Sequence, residues 1–125
     1  MRLRTAFLSL SVAAGLASSP MIAAAQTSLV MVEEQGCVWC ARWNEQIAPI
    51  YPKTQAGQAA PLRRVDINDE KPADLHFARS LHYTPTFVLM VDGKEIARIE
   101  GYPGEDFFWG LLAQMLEREK VELTN

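Results

Sequence analysis

This chain is poor in the side chains that build metal sites and disulfide frameworks. It has two cysteines and two histidines in 125 residues. A structural zinc site wants four ligands. The set Cys37, Cys40, His76 and His82 would use every one, and the two histidines have no fitting spacing. Basic residues are also in the minority, 12 Lys and Arg against 15 Asp and Glu. Nucleic-acid binding normally needs a basic patch, so this mildly acidic balance argues against that class. No run of like charge, no low-complexity tract and no internal repeat is present. After the first 25 residues, no apolar stretch approaches the ~20 residues that span a bilayer.

The N-terminus is different in kind. "MRLRTAFLSLSVAAGLASSPMIAAAQ" has a basic start at Arg2 and Arg4, an apolar stretch from Ala6 to Leu16, and small residues ending in Ala23-Ala24-Ala25. This is the layout of a secretory signal peptide, read as residues 1–25 with cleavage after Ala25. A membrane anchor fits less well, because the apolar run is short and serines interrupt it. The mature domain would be residues 26–125, with the net charge moved from −3 to −5 by loss of the two arginines. A domain of that length can bury a sufficient core without a disulfide framework.

Hydrophobic periodicity places the elements. "SLVMVEE", 28–34, reads as a buried strand, and Gly36 breaks it. "CVWCARWNEQIA", 37–48, reads as a helix with Cys40, Trp43 and Ile47 on one face, ended by Pro49 and Pro52. Residues 54–61 form a loop or a short helical turn, and "LRRVDI", 62–67, a strand. "NDEKPADLHFARSL", 68–81, spaces Leu75, Ala78 and Leu81 for one helix face. "TPTFVLMVDGKEIARIEG", 84–101, is a hairpin turning at Asp92-Gly93. "GEDFFWGLLAQMLEREK", 104–120, is an amphipathic helix with Phe107, Leu111, Leu112, Met115 and Leu116 facing the core. The order is β-α-β-α-β-β-α: an α/β fold with a four-stranded mixed sheet and helices on both faces. The first β-α-β unit is parallel, with a right-handed crossover.

The cysteines stand at the first strand-to-helix junction, in "EEQGCVWCARW". They could be a redox couple, part of a metal site or a structural staple. A staple closing so short a loop removes little unfolded-state entropy. Two thiolates suit copper(I) better than zinc. The redox reading gains from position. A thiol attacks as thiolate, and the free N–H groups of a helix N-terminus stabilise that anion. Cys37 falls there, and Cys40 lies one turn deeper, close enough to bond to it. Cys37 is then the attacking thiol, and Cys40 resolves the mixed disulfide. Cys-x-x-Cys at such a junction is a strong signal.

The residues "GCVWC", then "YTPTFVLMVDGKEIARIEGYPG" and the closing helix, resemble the thioredoxin superfamily across nearly the whole mature chain. Within it, "CVWCARW" and "RIEGYPGEDFFWGLL" look like the small periplasmic thioredoxin-like proteins of bacterial sulfur-oxidation operons, the SoxS type. The resemblance implies a thioredoxin-like fold, a redox-active Cys37–Cys40 disulfide and a cis Thr84-Pro85 bond facing it. It implies an exported thiol–disulfide oxidoreductase that reduces disulfides on periplasmic proteins, takes electrons from a membrane donor, works as a monomer and needs no nucleotide, flavin or metal. The alternative is a non-catalytic copper(I) carrier using the same cysteines.

The chain departs from the family in two places. Typical members carry a buried aspartate six residues before the first cysteine, where this sequence has Met31. Glu33 lies on the same strand face and would be a partial substitute, although a solvated strand-end carboxylate is the plainer reading. Val38-Trp39 replaces the thioredoxin Gly-Pro, so the direction of electron flow does not carry over. Substrate contacts are expected from Trp39, Thr84 and Pro85. Proline before a strand leaves the Thr84 backbone free to pair with an extended peptide. His82 and Tyr83 would rim the site, His76 would lie on the surface, and Trp43 in the core.

Overall fold

The computed structural model describes residues 19–21 and 23–121. The cleavable segment expected over residues 1–25 lies largely outside them. Four strands form one sheet in the order β2-β1-β3-β4: β1 Thr27–Glu33, β2 Leu62–Asp66, β3 Thr86–Val91 and β4 Lys94–Glu100. β1 pairs parallel with β2 and antiparallel with β3, and β3 pairs antiparallel with β4. The mixed sheet, the parallel first unit and the hairpin agree with the sequence reading. Asp92 and Gly93 both take positive φ, 50° and 77°, as a two-residue hairpin turn of the primed kind requires.

β1 and β3 are central and covered on both sides, hence their continuous apolar runs. One face, with Leu29, Met31, Phe87 and Leu89, carries all three helices: α1 Val38–Gln46, α2 Gln55–Ala59 and α3 Glu105–Arg118. A single 3-10 turn, Tyr51–Lys53, joins α1 to α2. Trp43 is the hub of this layer, its ring 5.2 Å from Phe87 and 5.7 Å from Phe108. Tyr51 is fully buried and donates to the Ala60 carbonyl at 2.6 Å. On α3 the buried residues are Phe108, Leu112, Met115 and Leu116. Phe107 and Leu111, expected in the core, face outward, with Phe107 68% exposed. The helix is rotated so that Phe108 closes on Phe87 at 4.9 Å.

The other face corrects the sequence reading. Residues 68–81 form no helix. They run as an irregular strap that sets Leu75, Phe77 and Leu81 over Val30, Val32, Val65, Val88 and Met90. The Leu75 N–H bonds the Pro72 carbonyl at 3.0 Å; from His76 on, the strap's backbone bonds go to the β3/β4 hairpin. His76 N–H donates to the Gly93 carbonyl and Glu95 N–H to the His76 carbonyl, at 2.7 and 3.0 Å. The Ala78 N–H bonds the Glu95 carboxylate at 2.7 Å. The Arg98 guanidinium pairs with Glu95 and donates to the carbonyls of Arg79 and Ser80, both at 3.1 Å. With these partners in place, those N–H and carbonyl groups are not available for the i→i−4 bonds of a helix. Among the described residues, no helix is long and apolar enough to cross a membrane.

Candidate functional site

The site is built at the C-terminal end of β1. The chain leaves the strand through Glu34, Gln35 and Gly36, and Gly36 takes φ of 81°, a conformation glycine adopts without penalty. That turn delivers Cys37 as the N-cap of α1, with extended backbone. Its Sγ accepts the Cys40 N–H at 3.1 Å, so the sulfur meets one of the unpaired donors of the first helical turn. Cys37 and Cys40 are joined in a disulfide, with Cα atoms 5.2 Å apart. Cys37 is half-buried and Cys40 only 3% exposed. Attack on the pair from outside therefore meets Cys37 first.

Val38 and Trp39 point to solvent between the cysteines, and Trp39 is half exposed. The Arg42 guanidinium lies over the Trp39 ring, 4.9 Å from its centre. This contact fixes the indole on the rim beside Cys37.

The loop before β3 forms the opposite wall. The Thr84-Pro85 bond is cis. Pro85 is buried, and its carbonyl accepts the Gly101 N–H at 2.7 Å. Thr86 donates its hydroxyl to the Tyr83 carbonyl at 2.6 Å, which closes the loop on itself. Thr84 makes no backbone–backbone hydrogen bond among the described residues. Its hydroxyl donates to the Glu34 carboxylate at 2.8 Å and ties this loop to the turn that carries Cys37. Tyr83, Thr84, Glu100 and Gly101 line a hollow of about 350 Å³ beside it. Cys37, Cys40, Trp39, Thr84 and Pro85, read separately from sequence, thus belong to one end of the sheet.

A match to the thioredoxin-like domain family covers residues 21–116. The chain belongs to the thioredoxin-like family. It is also similar to the crystal structure of the reduced form of the periplasmic thioredoxin SoxS from Paracoccus pantotrophus. Identity is 49%, over 74% of this chain and 98% of that one, with a TM-score of 0.73. Comparison with curated proteins gives no match. Membership and the bonded Cys-x-x-Cys pair together make this thioredoxin-like chain a thiol–disulfide oxidoreductase.

Beneath the cysteines, Met31 fills the place of the usual thioredoxin aspartate and is fully buried. Its register partner on β2 is Arg64. The Arg64 guanidinium reaches to 3.5 Å from the Met31 sulfur, bonds Asn44 at 2.8 Å, pairs with Glu33 and stands over the Trp43 ring. Glu33 is thus turned toward a cation on β2. Arg64 and Glu34 escaped the sequence reading. The signal for Arg64 lies in the β1/β2 register, which no local pattern gives. Glu34 looked like any strand-end carboxylate.

His82 is exposed on the rim beside Tyr83, their rings 6.4 Å apart. His76 is bridged to Lys94 near the Asp92-Gly93 turn, at the opposite end of the sheet from the cysteines. The four-ligand zinc set is not assembled.

Proposed function

We propose that the protein is an exported reductase of disulfides on periplasmic proteins, with Cys37 as nucleophile and Cys40 as resolving thiol. The carrying observation is the asymmetry of the pair: Cys37 stands at the helix cap and accessible, Cys40 one turn inward and buried. In the reduced protein, the Cys37 thiolate attacks one sulfur of a substrate disulfide. The other substrate sulfur leaves as a thiolate and takes up a proton. The Cys40 thiolate then attacks the Cys37 sulfur, releasing the second substrate thiol and forming the Cys37–Cys40 disulfide. Two electrons have passed to the substrate, and an external dithiol, expected in a membrane donor, restores them. Trp39, between the cysteines, and Tyr83, next to Thr84, offer exposed apolar area, a composition typical of interface anchors. Thr84 offers its backbone to an extended substrate segment. A periplasmic setting is supported by the SoxS likeness and by the signal-like N-terminus.

The test is a trap. With dithiothreitol as donor, the purified protein should reduce a disulfide-containing protein. Cys40→Ser should accumulate a mixed disulfide with that protein through Cys37, and Cys37→Ser should form none. Equal trapping by both variants would remove the assignment of roles.

A further inference from the structure

Glu33, Glu34 and Glu100 stand at the active end of the sheet, with Asp66 beside Glu33 on the edge strand, where its carboxylate accepts the Asn68 N–H; Glu33 and Glu100 are paired with arginines. Glu33 is paired with Arg64. Glu100 is held by Arg79 at 3.0 Å and faces Arg98 at 3.5 Å. Glu34 is different. Among the described residues it has no cationic partner, and its carboxylate bonds only the Thr84 hydroxyl. Its own carbonyl faces the Cys37 N–H at 3.4 Å. One residue therefore holds both walls of the site: the Cys37 turn through its backbone, the cis-proline loop through its side chain. His82 and Tyr83 precede Thr84 on the same loop, and the Arg42 guanidinium stands over the Trp39 ring.

We propose that Glu34 is a positioning residue whose uncompensated charge, fixed by Thr84 on the turn that carries Cys37, makes the Cys37–Cys40 dithiol a stronger reductant. The physics is direct. When the disulfide opens, Cys37 takes on negative charge at the helix cap. The Cys40 N–H stabilises that charge; a half-buried carboxylate three residues upstream on the same turn opposes it. A less stable thiolate means a dithiol that gives up its electrons more readily. Couples with a strongly stabilised reduced form are oxidants. Glu34 thus offsets part of the acidifying effect of the helix terminus. Thr84 is its lever arm, since without that hydroxyl the carboxylate is free to turn to water. The inference rests on the redox reading of the pair, and not on which protein is reduced.

Glu34→Gln separates charge from shape, because the amide oxygen still accepts the Thr84 hydroxyl. Two quantities are read on the purified protein: the Cys37 thiolate absorbance against pH, and the equilibrium with reduced and oxidised glutathione. In Glu34→Gln the Cys37 pKa should fall, and the glutathione equilibrium should move about three- to tenfold toward the dithiol, roughly 15 to 30 mV for a two-electron couple. A purely structural contact predicts no movement in either. Unchanged values in a folded Glu34→Gln overturn the proposal. Should that variant not fold, Thr84→Val serves: freeing the carboxylate should move both readouts in the same direction by less, and no movement overturns the proposal equally. If the unaltered protein does not exchange with glutathione at all, the redox reading itself has failed, which is a separate result.

Discussion

Met31 is the residue on which this site differs most from a typical thioredoxin. A buried acid there would accept the proton of the resolving thiol, and a thioether cannot. The Arg64 guanidinium lies 3.5 Å from the Met31 sulfur, so a carboxylate placed there would find a cation waiting. Met31→Asp is therefore expected to speed release of the mixed disulfide at neutral pH. It is also expected to cost about 2–5 kcal/mol, the range for loss of a buried methionine side chain. Single-turnover release, with denaturant unfolding alongside, checks both. Slower release from a folded variant would show that Cys40 does not lack a base. At this scale the sequence was readable where chemistry is local. Cys37 at a cap, Cys40 a turn further in, and a proline opening a strand all follow from near neighbours. Arg64 does not, because it reaches the site across a parallel strand pair 33 positions away.

Among the elements, the strap over residues 68–81 shows where periodicity misleads. Leu75, Ala78 and Leu81 have the spacing of a helix face, yet Ala78 is exposed and only the leucines turn inward. What decides the conformation is a pair of charges on another element, Glu95 and Arg98, with side chains 4% and 3% exposed. Burial pushes the Glu95 carboxyl up; the Arg98 guanidinium and the Ala78 N–H outweigh it and hold the group below its ordinary value. A carboxyl depressed in the folded state stabilises above its unfolded pKa, about 4.3 for glutamate. That contribution is lost as the pH falls through the folded value. Stability should therefore decline as acid is added below about pH 4. In Arg98→Ala the loss should already be present at pH 7, at about 3 kcal/mol, the low end for a broken buried pair because Glu95 keeps the Ala78 N–H. Thermal unfolding of both proteins between pH 3 and 7 measures this. Parallel curves with no offset at neutrality would mean that the strap is held by its leucines alone. The hairpin, by contrast, was legible from Asp92-Gly93, whose positive φ values need nothing from the rest of the fold.

The whole molecule has two working ends. One carries the cysteines. At the other, the Gln26 N–H meets the Asp92 carboxylate at 2.9 Å, and the Asp92 N–H returns a bond to the Gln26 carbonyl at 2.8 Å. Among the described residues, Gln26 is the first fastened to the body of the fold; those before it are exposed and outside any strand or helix. In a chain cut after Ala25, that nitrogen becomes a terminal ammonium with a carboxylate already facing it. The new end would be docked from the moment it is made. An exopeptidase must draw a free terminus into its own pocket, and a docked one is withheld. The processed protein should therefore keep Gln26 through long exposure to an aminopeptidase, while Asp92→Asn should be trimmed from Gln26 onward, as mass spectrometry would record. Equal trimming of the two would mean that the Asp92 turn folds the hairpin and guards nothing.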